Sequence, residues 1–159
     1  MKSKINLAFN NCKKENRPAL ITYTVAGDNT KNNSLKILNK ISKYADILEI
    51  GFPHNTPIAD GGQIQGSSHR ALKNGIKLKD VFKIVKKFKK KNPNKPVILM
   101  GYFNLIYQNG ENNFLKNWHI YLSCIIIILN IFLFKDIITY FPVNSSCYNN
   151  WKSRFEWNT

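Results

Sequence analysis

The chain is short of acid, short of cysteine, and without the motifs that usually hold a metal or a dinucleotide. Only 9 Asp and Glu stand against 24 Lys and Arg in 159 residues, so a carboxylate set in an apolar run needs a reason to be there. Cys12, Cys124 and Cys147 are too far apart for a metal-ligand spacing and too few for an even disulfide framework, which makes a reducing cytoplasm the expected setting. No Gly-x-Gly-x-x-Gly follows the first apolar run, which argues against a dinucleotide-binding sheet. Residues 1–16 lack a long apolar core, so no signal peptide is expected. A membrane span needs about 20 apolar residues. The stretch from Ile120 to Phe134 is shorter, contains Asn130, and is followed by Lys135-Asp136.

What is abundant is lysine. A net charge of +15 invites nucleic acid or acidic lipid as partner. The lysines travel with many Asn and Ile, however, the signature of compositional drift in an AT-rich genome. The densest run, Lys83 to Lys95, falls on a predicted helix over 78–91 and its exit. Val81, Phe82, Val85 and Phe88 hold one face of that helix, which leaves its lysines on the solvated face. No aromatic residues interleave with basic ones as a stacking platform needs, so no nucleic-acid site is expected.

Periodicity predicts a βαβαβ rhythm. An amphipathic helix carries Ile5, Leu7, Ala8, Phe9 and Cys12. Residues 18–25 form a near-continuous β-rich run, ended by Ala26-Gly27-Asp28. Ser34 is expected to cap a helix with Leu35, Leu38, Ile41 and Ala45 at helical spacing. Residues 46–51 are a second strand, 65–74 a helix closed by Gly75, and 96–101 a third strand leading to Tyr102-Phe103-Asn104. Asn113-Phe114-Leu115 is expected to begin a further helix. Continuous apolar strands alternating with helices imply a parallel sheet with right-handed crossovers. Asp28, Glu49, Asp60 and Tyr102 all fall at or just after strand C-terminal ends, where barrel active sites are built. Glu49 sits inside an apolar strand, and Asp60 follows eleven residues later in a Pro/Gly-rich loop. Burying a carboxylate costs several kcal/mol unless it is paired or used. Two carboxylates so placed can serve one substrate as acid and base.

These motifs, in this order and spacing, resemble the tryptophan synthase alpha chain family: Arg17-Pro18-Ala19-Leu20-Ile21, Ala26-Gly27-Asp28, Asp46 to Pro53, Pro57 to Gly61, Arg70-Ala71-Leu72, Gly75, and Met100 to Asn104. The resemblance runs from about Phe9 to Leu115. It implies a (β/α)8 TIM barrel, with about the first three β/α units in residues 1–116. It implies a lyase of tryptophan biosynthesis that cleaves indole-3-glycerol phosphate, by a retro-aldol reaction, to indole and glyceraldehyde 3-phosphate. By the same resemblance Glu49 is the general acid/base. Asp60 is the carboxylate that takes the indole N–H and steadies the cationic intermediate. Tyr23 and Tyr102 line the substrate pocket. Pro53 and Pro57 belong to a loop that touches the partner. That partner is a beta chain in an alpha2beta2 heterotetramer. The alpha chain carries no cofactor, and the beta chain carries pyridoxal phosphate.

Two departures stand out. The loop reads Pro53-His54-Asn55-Thr56-Pro57, where the family usually has an aromatic, Ser, Asp and Pro. Partner communication is therefore in question, and His54 is expected at the surface. Residues 117–159 do not resemble the family's later units, and their periodicity fits neither a helix nor a strand. A frame change near 116–118 is the expected cause. A barrel of this kind needs about 250 residues, and the glycine-rich phosphate loops after its last strands have no counterpart here. The fragment is therefore expected to bind substrate weakly. The competing reading is a basic, non-enzymatic, membrane-associated protein that inserts Ile120 to Phe134.

Overall fold

The computed structural model describes residues 4–110 and residue 114, together with the backbone of 125–129 and 138–141. The elements are α1 (Lys4–Lys14), β1 (Ile21–Val25), α2 (Lys31–Ile41), β2 (Ile47–Gly51), α3 (Gly62–Lys73), α4 (Leu78–Lys91), β3 (Val97–Tyr102), α5 (Phe103–Asn109), β4 (Ile125–Leu129) and β5 (Ile138–Phe141). The strands form one sheet in the order β1-β2-β3-β4-β5. The pairs β1–β2, β2–β3 and β3–β4 are parallel, and β4–β5 is antiparallel.

Strand alternation separates two chemistries. Leu48 and Ile50 of β2 and Val97 and Leu99 of β3 are fully buried on the face covered by helices. They join Leu38 of α2, Ala71 of α3, and Val81, Val85 and Phe88 of α4 in the main core. The opposite face carries Tyr23, Glu49 and Ile98 in one cross-strand row. At the N-terminal end of this inner face Ile47 and Ile98 pack under Ile5 of α1. α1 thus closes the bottom of the sheet and leaves the C-terminal rim open. Beyond β2, Phe52 meets Phe82 and Phe114 edge to face, at 6.0 and 5.9 Å between ring centroids. Gly101 makes room for it: a Cβ there would lie 2.6 Å from the Phe52 ring.

The lysines of α4 project outward as expected, with Val81, Phe82, Ile84, Val85 and Phe88 inward. Some lysines also close carbonyls. Lys95 Nζ donates to Ala45 O at 2.6 Å, and Lys89 Nζ to Pro93 O and Lys95 O at 2.9 and 2.7 Å.

Three local expectations are corrected. Thr30, not Ser34, caps α2, its hydroxyl accepting from Asn33 N–H at 3.1 Å. Ser34 is buried one turn inside the helix and accepts from Gly27 N–H at 3.1 Å. α3 begins at Gly62, three residues before the expected start. Residues 125–129 and 138–141, expected to fit no strand, are strands, and β4 continues the parallel order. Ile125–Leu129 lies within the stretch proposed to insert into a membrane. Most of that stretch lies outside the described residues, as does most of the helix expected at 113–115. No helix among the described residues is long and apolar enough to cross a membrane.

Three acids hold loops and helix starts in place. Asp46 takes a forked pair from Arg17 at 2.7 and 2.8 Å and Leu20 N–H at 2.8 Å. Asp28 takes Arg70 at 2.7 and 2.8 Å and the Ser67 hydroxyl at 2.9 Å. Asp80 pairs with Lys31 at 2.8 Å and accepts Lys77 N–H. These bonds hold all three carboxyls below their ordinary value of 3.8. A carboxyl depressed on folding adds stability that is complete above its unfolded pKa and is lost as pH falls through its folded value. The urea midpoint should therefore hold level from pH 6 to about 5 and fall steadily below about 4.5. Asp46→Asn should lower the midpoint at pH 6 and flatten that fall. Level stability down to pH 3 would contradict the assignment.

Candidate active site

The open rim of the inner face gathers the residues that the sequence marked. β2 alternation aims Glu49 away from the helix-covered core, between Tyr23 of β1 and Ile98 of β3. Glu49 is half-buried, and no hydrogen bond to its carboxylate occurs among the described residues. Burial holds its pKa above the ordinary 4.5. Such a group holds a proton more readily than a surface glutamate and can return it, as an acid/base requires.

Tyr23 lies over Gly51; a Cβ on Gly51 would sit 2.0 Å from the phenol oxygen. Burial raises the Tyr23 pKa first, and the charges of Asp60 and Glu49 and the Tyr102 phenol raise it further. The four residues therefore share one electrostatic neighbourhood.

Tyr102 ends β3 and is buried. Its hydroxyl donates to Asp60 Oδ2 at 3.2 Å and accepts Ala59 N–H at 3.1 Å. This fastens the loop of residues 52–61 above the inner face. Burial raises the Tyr102 pKa, the Ala59 amide opposes that, and Asp60 adds to it. From the other side of the loop, Gln65 Nε2 donates to Asp60 O at 2.8 Å. The loop presents Asn55, Thr56 and Ile58 to solvent, with Ile58 65% exposed. Pro57 is partly exposed and Pro53 is buried, so of the two prolines only Pro57 offers surface.

His54 corrects an expectation. It is 8% exposed, not a surface residue, because its ring stacks on Tyr102 with centroids 4.6 Å apart and planes 29° apart. Its Nε2 lies 3.3 Å from Asn104 Nδ2. Asn104 is on α5, a helix the sequence reading did not separate from the strand end. Its only advance signal was its place in the Tyr102-Phe103-Asn104 run.

A cavity of about 240 Å³ lies beside this rim, between β1, α2 and α3, lined by Tyr23, Asp28, Ser34, Gln63 and Ser67 among others. It does not include Glu49, and Asp28 there is already committed to Arg70. No cluster of metal-ligating side chains occurs among the described residues.

Residues 9–128 match the family model described as tryptophan synthase alpha chain. The tryptophan synthase alpha chain of Pelagibacter ubique is 74% identical over 114 residues, which are 72% of this chain and 43% of that protein. Tryptophan synthase subunit alpha from Legionella pneumophila superposes with a TM-score of 0.70 at 34% identity, over 74% of this chain and 45% of that one. A chain from the tryptophan synthase a2b2 complex of the hyperthermophile Pyrococcus furiosus superposes with a TM-score of 0.61 at 45% identity, over 64% of this chain and 42% of that one. The chain spans about two fifths of the length of the curated relatives it matches.

A half-buried carboxylate with a raised pKa destabilises the folded state once it ionises, so its stability contribution is lost as pH rises through the raised value. Glu49→Gln should therefore raise stability at pH 7. After allowance for solvent screening of a half-exposed group, the gain should be a few tenths to about 1 kcal/mol. Urea denaturation at pH 7 and pH 4 checks it. A gain that vanishes at pH 4 is expected, and a loss at pH 7 would refute the carboxylate's burial.

Proposed function

The chain belongs to the tryptophan synthase alpha chain family, and on that premise we propose that its inner rim is the acid/base part of a site that cleaves indole-3-glycerol phosphate to indole and glyceraldehyde 3-phosphate. Cleavage needs two proton movements. A proton must reach indole C3 to make that carbon a leaving group. A proton must leave the glycerol 3′-hydroxyl as the C–C bond breaks and the aldehyde forms. Glu49 is the group that moves these protons. Asp60 accepts the indole N–H and offsets the positive charge that grows on the ring. Tyr23 and Tyr102 supply apolar walls for the indole.

The observation that carries this reading is the position of Glu49. It is an unpaired, half-buried carboxylate of raised pKa, in register with Tyr23 and beneath a loop whose Asp60 is held by Tyr102. The reaction needs no metal or organic cofactor from this chain. The partner is a beta chain in an alpha2beta2 assembly, and any pyridoxal phosphate belongs to that chain. Pro57 and the exposed Asn55, Thr56 and Ile58 form the contact surface, with Pro53 stiffening its base from within. The cytoplasm, where such an enzyme meets its substrate, is the compartment. The departure from the barrel pattern falls after residue 128 rather than at 117, since the family match reaches 128 and β4 is still parallel; the antiparallel pairing of β5, where a barrel strand would be parallel, supports this.

Indole release from indole-3-glycerol phosphate, with and without added tryptophan synthase beta chain, tests the reading. The chain should release indole slowly, as its expected weak substrate binding implies, and the beta chain should raise the rate. Glu49→Gln should cost roughly 10²- to 10⁴-fold, with Asp60→Asn also impaired. Full activity in Glu49→Gln, or no indole under either condition, would sink the proposal. Sequencing the coding DNA past codon 105 in three frames tests the tail. A second frame encoding a further parallel unit is expected, and its absence would remove the frame-change account.

A further inference from the structure

We propose that His54 is a positioning residue for Asp60 that acts through the Tyr102 ring, an inference that rests on the reading of Asp60 as the carboxylate facing the indole nitrogen. Five residues from three elements form a closed clamp. Asn104 on α5 faces His54 Nε2 at 3.3 Å. His54, at the start of the loop, stacks on Tyr102 at 4.6 Å. Tyr102, at the end of β3, holds Ala59 N–H and the Asp60 carboxylate through one hydroxyl. The first residues of the loop thus fix the phenol that fixes its last residues. Without the stack the phenol could swing about its Cα–Cβ bond. Both hydrogen bonds would then loosen, and Asp60 would lose its place over the inner face.

The imidazole does this in its neutral form. Asn104 Nδ2 can only donate, so Nε2 accepts and the proton lies on Nδ1. Protonation would require the Asn104 amide to turn its oxygen to Nε2 and would place a charge in a site 8% exposed. Among the described residues, the groups facing the ring are the Tyr102 phenol from β3, uncharged Asn104 from α5, and Asp60 from its own loop. Burial pulls the His54 pKa below its ordinary 6.5 and outweighs the opposing pull of Asp60. The clamp is therefore closed at neutral pH and opens on acidification. An aromatic ring without a titratable nitrogen, which the family usually carries at this position, would hold the stack without that dependence.

The test is hydrogen exchange of the Ala59 amide in the 159-residue chain, from pH 5 to 7.5, corrected for intrinsic rates. Amides of β2 and β3 serve as internal controls. His54→Leu, which fills the space without stacking, should lower Ala59 protection roughly three- to tenfold, the worth of one aromatic pair. His54→Phe should keep the protection. In the unsubstituted chain, protection should fall on acidification with a midpoint below 6.5, and in His54→Phe that pH dependence should vanish. If His54→Leu fails to fold, the comparison of the unsubstituted chain with His54→Phe decides alone. A flat pH profile in the unsubstituted chain overturns the proposal, as does full Ala59 protection in a folded His54→Leu. The readout needs no substrate, so a chain that cleaves none still reports on the clamp.

Discussion

Burial of one face of the parallel sheet comes before everything else in this molecule. Leu48, Ile50, Val97 and Leu99 lie under the helices with essentially no exposure, each side chain worth roughly 1.5–3 kcal/mol when fully buried. That burial fixes the register of β2, because a slip of one residue would turn every side chain to the other face. With Leu48 and Ile50 committed outward, Glu49 must face inward. With α2, α3 and α4 all on the outer side, the segments that leave β1, β2 and β3 emerge at a single rim. Asp28, Asp60 and Tyr102 collect there for the same reason. α1 seals the opposite end through Ile5, Ile47 and Ile98, so the inner face is apolar at its base and polar at its mouth.

The scarcity of acid makes the contrast between carboxylates informative. Asp28, Asp46 and Asp80 each meet a cationic side chain and at least one further donor, and all three are held below the ordinary carboxylate value. They hold loops and helix starts together. Among the described residues Glu49 has no such partner, and burial moves its pKa the other way. A carboxylate kept half-buried without a counter-charge lowers stability, which is tolerable where the group has a task in proton transfer. Asp60 has a different kind of partner. Among the described residues its side-chain partner is the Tyr102 phenol, which orients the carboxylate.

Much of this was legible from spacing. The helix over 78–91 shows because Val81, Phe82, Val85 and Phe88 recur on one face among lysines. The strands show because uninterrupted apolar runs have few other uses in a parallel sheet. Strand ends, once assigned, put Asp28, Glu49, Asp60 and Tyr102 at one rim, while Tyr23 came only from the family resemblance. Contacts between residues distant in sequence were not legible. Nothing local distinguishes Thr30 from Ser34 as the α2 cap; the choice depends on Gly27 N–H taking the Ser34 hydroxyl. His54 reads as a polar loop residue until Tyr102, 48 positions on, supplies a ring to cover it. α5 was hidden because the Tyr102-Phe103-Asn104 run reads as a strand end, while its helix begins at once at Phe103.

The last two strands follow from connection length. β4 runs parallel to β3, as the next unit of a barrel would, and the family match ends inside it, at residue 128. A parallel return from β4 needs a crossover of a dozen or more residues, usually a helix. Residues 130–137 are too few for that. A chain that rejoins the sheet so soon has to turn back, and β5 accordingly pairs antiparallel with β4. That pairing occupies the edge of β4 where a fifth parallel barrel strand would dock. The barrel path and the pairing of β5 with β4 are therefore mutually exclusive. Glu49 and Asp60 are unaffected by the choice, since β1, β2 and β3 and the loop of residues 52–61 place them without β5.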